Sequence, residues 1–385
     1  MKIAIIGGGA SGLFVASYLK RKFHNIDITI FDRNKSLGRK LLATGNGKCN
    51  FANYKAIPQD YNNSSFIEKL FKICPKENVI NYLSSLGLMF YFDDEGRMYP
   101  ITNSSQTILS LFTSDLSDTK IRLETTIDKI QKKDDKFIIL NEVFDYVVLA
   151  TGSNASIDES KVNSTYAYLD SLKININPLR PSLVGFKSCD KEIKFLKGYR
   201  SKAEVILYHN DKPIFKEKGE VMFKDDGISG IVVMNASHYY NKGDSISINL
   251  LPNISKEEFE YKVKERMNKC NNIDYYLATT IHPVLLQYLK KKNITSPEKI
   301  YKFLTDYNPQ ITDTYSFKEA QVSKGGIDVN DINDDFSLKK YKNIFALGEL
   351  LDINGVCGGY NLLYAFTSAL VCARKLGEIY ENQNN

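Results

Sequence analysis

The chain has 385 residues, 43% of them hydrophobic and 25% charged, which excludes a disordered or collagen-like polymer and calls for two or three domains rather than one simple core. No apolar run reaches the roughly 18–20 residues of a membrane-spanning helix. Six scattered cysteines without a CxxC pair, and only four histidines, exclude a zinc site and a disulfide scaffold, so no metal is expected and a reduced, cytoplasmic protein is. The net charge of +6 permits a nucleic-acid partner without requiring one.

Lys2 to Ile6 reads as a short buried strand, and Gly7-Gly8-Gly9-Ala10-Ser11-Gly12 then fits G-x-G-x-x-G. An apolar helical segment runs to about Lys22. This start mimics a signal peptide, but cleavage would destroy the best motif of the chain, so it is read as retained. Asp27 to Phe31 is a second strand ending at Asp32, 20 positions after Gly12. Strand, glycine turn, helix and acid follow one another as in a dinucleotide-binding unit. Gly7 permits the turn, Gly9 admits a pyrophosphate and Gly12 allows close helix–strand packing. The helix start at Ala10 and Ser11 offers free N–H groups to the phosphates. Asp32 accepts from a ribose diol and would repel a 2′-phosphate.

Gly38 to Asn50 (Gly-Arg-Lys-Leu-Leu-Ala-Thr-Gly-Asn-Gly-Lys-Cys-Asn) is too glycine-rich and basic for a core element. Arg39 and Lys40 are candidates to meet phosphates, and Gly45, Asn46 and Gly47 leave backbone N–H groups open to a ring system. Tyr146 to Gly152 is a buried strand running into the small-residue turn Ala150-Thr151-Gly152. Asn343 to Leu347 is another short strand, followed by Gly348-Glu349, by Asp352, and by a loop with Gly355, Gly358 and Gly359. A helix from Asn361 to about Leu376 follows, before a frayed tail Glu381 to Asn385. A late strand with an acid at its end and a helix aimed at the cofactor is how two-headed FAD folds hold the ribityl chain and flavin. Glu349 and Asp352 are the candidates for its hydroxyls.

Between about Gly185 and Phe317 the pattern changes. Residues 186 to 254 alternate in short apolar and polar runs and read as a β-rich unit. Residues 255 to 316 are Lys/Glu-rich with helical spacing, punctuated by Pro283 and Pro297. This insertion separates a first FAD-binding part (1–185) from a second (317–385). Basic clusters at Lys191 to Lys194, Arg200 to Lys202 and Lys290-Lys291-Lys292 lie near Phe195, Tyr199 and Tyr288, a composition suited to phosphate contacts beside base stacking. An ordinary solvated lysine face is the competing reading.

Two side chains stand out for chemistry. Reducing an activated C=C needs a hydride on one carbon and a proton on its neighbour. Cys49, beside Lys48 in the glycine-rich loop, is a candidate proton donor, with packing of the loop as the competing reading. Cys357 has a weaker claim. Tyr360 is the second candidate, as donor or as a ring stacked on the flavin. No second G-x-G-x-x-G is present, so NADH or NADPH, as electron donor, is expected to visit the flavin face transiently. His24, His209, His238 and His282 lie outside the motifs.

The stretches GGGASG, GRKLLATGNGKCN, ATGS, GISG, AQVSKGG and LGELLDINGVCGGYNLLYAFTSA together resemble the BaiN/YhiN-like family of FAD-dependent oxidoreductases, also labelled aminoacetone oxidase-like flavoproteins. The resemblance spans residue 3 to about 377. It implies an α/β fold, a two-headed Rossmann-like FAD-binding domain carrying a β-barrel-like insertion and a small helical one over the flavin. Ser153 stands where the family usually has a glycine, and Lys224, Asp225 and Ile231 depart from its pattern around GISG. The resemblance makes two functions available, reduction of a uridine in 23S ribosomal RNA to dihydrouridine and reduction or oxidation of a small enone or aminoketone; a structural or regulatory flavin-bound role is a third reading, from another class.

Overall fold

The computed structural model describes residues 1–156 and 166–384. Strand β1 (Lys2–Ile6) runs between Tyr146–Leu149 and β2 (Asp27–Phe31). Ile344–Ala346 extends the sheet beyond Tyr146–Leu149, and Lys120–Arg122 extends it beyond β2, with every pairing parallel. The inner strands are apolar and buried along almost their whole length, as parallel strands covered on both faces must be. Helix α1 (Ala10–Lys22) follows the glycine turn, buries Leu13, Phe14, Val15, Ala16 and Leu19, and ends in Lys20, Arg21 and Lys22, which complement its dipole.

The C-terminal helix (Tyr360–Asn384) packs along α1, with Phe14 and Phe366 stacked at 5.7 Å. It outruns the end expected near Leu376. Gly377 lies against the Phe23 ring, Tyr380 packs on Phe23 at 4.9 Å, and Lys22 pairs with Glu381 at 3.1 Å. These contacts hold turns that composition alone would leave frayed; Asn385 lies outside the described residues.

The chain divides into two compact units, Met1–Arg180 with Val322–Asn385, and Pro181–Gln321. The second unit is built on an antiparallel sheet of six strands, in the order Ser245–Asn249, Arg200–His209, Lys212–Phe223, Gly227–Ser229, Phe186–Ser188 and Ile311–Thr314. Its helical stretch is Lys256–Met267, Ile273–Leu277, Pro283–Lys291 and Pro297–Thr305. Pro283 and Pro297 occupy first-turn positions, behind His282 and Ser296 as caps, where a missing N–H does no harm. Val205, Leu207 and Ile246 of the sheet share one apolar core with Phe259, Leu289 and Ile300 of the helices. Among the described residues no helix is long and apolar enough to cross a membrane.

Candidate dinucleotide-binding site

The glycine turn after β1 is fixed by main-chain constraints. Gly7 has φ +109, and a Cβ there would lie 2.2 Å from the Ala150 carbonyl oxygen. A Cβ on Gly12 would lie 2.0 Å from the Gly7 oxygen, which is the close helix–strand approach the motif predicts. Gly9 differs: a Cβ there would meet nothing within 4 Å. Gly9 is also the N-cap of α1 and supplies no side-chain cap, so the first N–H groups of the helix, those of Ala10 and Ser11 among them, face an open position with the positive end of the dipole behind them. The Ser11 hydroxyl is turned the other way and donates to the Ala365 oxygen at 3.1 Å, tying α1 to the C-terminal helix.

Asp32 is buried at the end of β2. Its Oδ2 accepts from the Gly8 N–H at 2.8 Å, and its Oδ1 accepts from the backbone and side-chain nitrogens of Asn34 at 2.7 and 2.8 Å. Three donors on a carboxylate with about four lone-pair sites fix its orientation and leave room for a further hydroxyl.

Three distant segments meet at one polar cluster. Lys40 Nζ, on α2 (Arg39–Ala43), lies 2.5 Å from Glu349 Oε2 and 3.0 Å from Ser153 Oγ, and Ser153 donates to Glu349 Oε2 at 3.0 Å. Ser153, the departure from the family's glycine, is therefore the bridge of this cluster. Arg39 does not join it: the side chain is exposed, with Asn34 Oδ1 at 3.4 Å. Beside the cluster, Gly152 has φ +71 with nothing within 4 Å of an added Cβ. Thr151 Oγ1 and Tyr168 OH are 2.8 Å apart, and Ala150 closes the strand by donating to the Ile6 oxygen.

The Gly45–Asn46–Gly47 turn is left-handed at all three residues, with φ 57, 54 and 84. Cys49 also has positive φ, 57, and is 0% exposed in the apolar core of the first unit. Burial pushes its thiol up to about 11, against a hydrogen bond with Thr44. The thiol, weighed as proton donor or as loop packing, is thus enclosed among the described residues, with no face open to a substrate.

Near the C-terminus, Gly348 (φ +59) donates its N–H to Ser368 Oγ at 3.1 Å. Asp352, expected to contact cofactor hydroxyls, is held by Gly325 N, Asn62 Nδ2 and Asn177 Nδ2 at 2.9–3.0 Å and ties neighbouring segments together. Asn361 clasps its own loop: its Oδ1 accepts from Gly355 N at 2.8 Å and its Nδ2 donates to the Gly355 oxygen at 2.9 Å. Gly359 (φ +98) approaches the Ala52 oxygen, which a Cβ would meet at 2.4 Å. Tyr360 is half-buried at the first position of the C-terminal helix, its carbonyl accepting from Tyr61 OH at 2.9 Å and its ring edge-on to Tyr61 at 6.1 Å.

Sequence reasoning missed three asparagines. Asn154 and Asn354 are 0% exposed, and among the described residues neither their amide nitrogens nor their oxygens have a partner, nor does the buried Oδ1 of Asn50. Buried carboxamides left this way are costly. These three flank the 45–49, 150–153 and 355–361 loops, so the residues present fit a large polar ligand held between those loops. A lone Asn carries no periodic or motif signal; adjacency to the glycine loops was the one available hint.

The chain is 27% identical over 406 residues to a 3-dehydro-bile acid delta(4,6)-reductase of Clostridium scindens, covering 98% of this chain and 99% of that protein. It is 26% identical over 394 residues to the ribosomal RNA dihydrouridine synthase of Escherichia coli K12, covering 97% of each. Among solved structures, E. coli quinol fumarate reductase FrdA shares the fold, with a TM-score of 0.50 at 13% identity over 98% of this chain and 70% of that one. Residues 1–375 match the family model of the HI0933-like protein Rossmann domain, and the chain belongs to that family of FAD-dependent oxidoreductases, the one its motifs resemble.

Proposed function

We propose that this protein holds FAD in its first unit and reduces a C=C bond conjugated to a carbonyl. The observation that carries the cofactor is the uncapped start of α1 beside the open Gly9, with Asp32 fixed by the Gly8 N–H. Gly9, Ala10, Ser11 and Gly12 would hold the pyrophosphate through backbone N–H groups. Asp32 would hold the adenosine ribose. The Lys40–Ser153–Glu349 cluster, Gly152, the Gly45–Gly47 turn and the 355–361 loop would hold the flavin half. FAD, when bound, supplies hydride transfer.

The two relatives support the substrate class, since a delta(4,6)-reductase and a dihydrouridine synthase are both named for saturating such a bond. In this chain the Tyr360 phenol delivers the proton that completes the reduction, and Cys49 packs the loop. The C-terminal helix opening at Tyr360 presents its positive end to negative charge developing nearby. NADH or NADPH is the electron donor, sharing the substrate's approach.

The test is anaerobic. Protein reduced with NAD(P)H is mixed with unmodified 23S rRNA transcript or with a steroid-like enone, and the flavin absorbance is followed with product analysis. Reoxidation coupled to a saturated product is expected. Reoxidation by oxygen alone, with an aminoketone consumed in its presence, would replace the reductase with an oxidase.

A further inference from the structure

The two lysine clusters of the second unit are about 100 positions apart in sequence, yet the fold brings them together. Residues 190–197 form consecutive i→i+3 turns: Ile193 N donates to the Asp190 oxygen, Phe195 N to Glu192 and Lys197 N to Lys194, all at 3.0–3.2 Å. The short 3-10 helix Ile193–Leu196 is the centre of this run. Three residues per turn sort the sequence into columns. Ile193 and Leu196 share the inward column, at 1% and 0% exposure. Lys191, Lys194 and Lys197 share a second column, about 6 Å apart along the axis, and all three are exposed. Glu192 and Phe195 share the third.

Helix Pro283–Lys291 completes the face. Lys292, just past its end, pairs with Glu192 of the third column. Lys291 Nζ lies 3.1 Å from the Phe195 ring centroid, and Lys194 Nζ lies 5.5 Å from it on the 3-10 helix itself. Phe195 is 39% exposed, so a large aromatic ring sits at the surface between two ammonium groups. Lys191, Lys194 and Lys291 have no carboxylate partner among the described residues. Lys197, Lys290 and Lys292 are paired with Asp225, Asp274 and Glu192, in exposed ion pairs of little energy that can yield to a stronger anion.

We propose that this face binds an RNA strand, the lysine column tracking successive phosphates and Phe195 stacking a base. A single-file row of cations suits a phosphodiester chain. The lone exposed ring in that row adds what a lipid headgroup surface would not use: a flat π face framed by cations. The proposal deepens the reductase reading by naming the carrier of the reduced bond, and it rests on that reading for its biological meaning, though not for the binding itself.

The test uses full-length, flavin-loaded protein and a fluorescein-labelled oligouridylate, with anisotropy recorded across a salt series. The triple variant Lys191→Ala/Lys194→Ala/Lys291→Ala is expected to bind at least about tenfold more weakly and to lose about 2 from the log–log salt slope, at roughly 0.7 per phosphate contact. Phe195→Ala is expected to weaken binding about tenfold, and Phe195→Trp to restore it. Wild-type affinity and slope in the triple variant would overturn the proposal, as would wild-type binding to phosphatidylserine vesicles but not to the RNA. The same variants are assayed for enone reduction. Unchanged reduction with weakened RNA binding supports the assignment. RNA binding through this face by a protein that reduces neither RNA nor enone would sink the reductase reading and leave the surface standing.

Discussion

Gly9 and Gly12, three positions apart in one motif, meet opposite surroundings, and this separates fold from cofactor. Gly12→Val drives a side chain into the Gly7 carbonyl, so it is expected to lower stability by about 3 kcal/mol, seen as an early denaturant midpoint. Gly9→Val adds atoms to open space. It is expected to melt like the unliganded wild type while purifying without flavin colour; normal flavin content in Gly9→Val would refute the pyrophosphate assignment. Cys49 makes a second prediction at this scale. Burial raises its thiol from 9.0 to about 11 in the folded state. The folded chain therefore holds this proton more tightly than the unfolded one, and the stability it contributes is present below pH 9 and drains away as pH climbs toward 11. Cys49→Ala should flatten that alkaline loss in urea titrations and leave the pH profile of kcat/KM between pH 6 and 8 where it was. A shifted profile would return Cys49 to the chemistry.

The glycines and Asp32 were legible in sequence because each answers a local backbone demand. The Lys40–Ser153–Glu349 cluster was not readable as a unit. Its members are separated by up to 309 positions, and only parallel pairing of the strands behind them makes them neighbours. For Cys49 the sequence left two readings open, proton donor and loop packing, for a related reason. A residue type and its loop are visible in sequence, but the direction a left-handed turn gives a side chain is not.

Among the elements, the loop before the C-terminal helix is held by asparagine side chains, Asn53 on the Gly358 oxygen, Asn62 on Asn354 N and Asn361 on Gly355. Asn361 bonds both the N–H and the oxygen of Gly355, replacing contacts that three glycines cannot supply. Asn361→Ala is expected to cost about 2 kcal/mol and to speed amide exchange in residues 354–359 and flavin release together. Faster release without faster exchange would mean that Asn361 contacts the cofactor rather than shaping the loop. The strands at 203–207 and 245–250 follow from the alternating pattern, and the structure has them there; the prolines read as punctuation, Pro283 and Pro297, stand at helix starts. The 3-10 turns at 190–197 escaped, because Lys191, Lys194 and Lys197 recur at a period of three that fits neither an amphipathic α-helix nor a strand.

For the whole molecule, the first unit should gain stability from its cofactor by mass action. FAD at about 100 times its Kd is expected to add about 2.7 kcal/mol to its unfolding. That gain should vanish in Gly9→Val and survive in Phe195→Ala. A full gain in Gly9→Val would place the cofactor elsewhere. The same unit is assembled from both ends of the chain. Ile344–Ala346 completes its sheet, and the C-terminal helix lies against α1 through the Ser11–Ala365 bond. During synthesis the ribosome must therefore deliver the whole of Pro181–Gln321 before the nucleotide fold can close. At about 5–20 residues per second, residues 1–180 wait on the order of 10 s with one sheet edge unpaired and α1, though packed on Tyr82 and Phe112, lacking its C-terminal helix partner. The second unit, contiguous in sequence, can finish first. A nascent chain whose Gln321 has just cleared the ribosome should thus display a folded second unit while the first, its sheet still lacking Ile344–Ala346, cannot yet turn yellow.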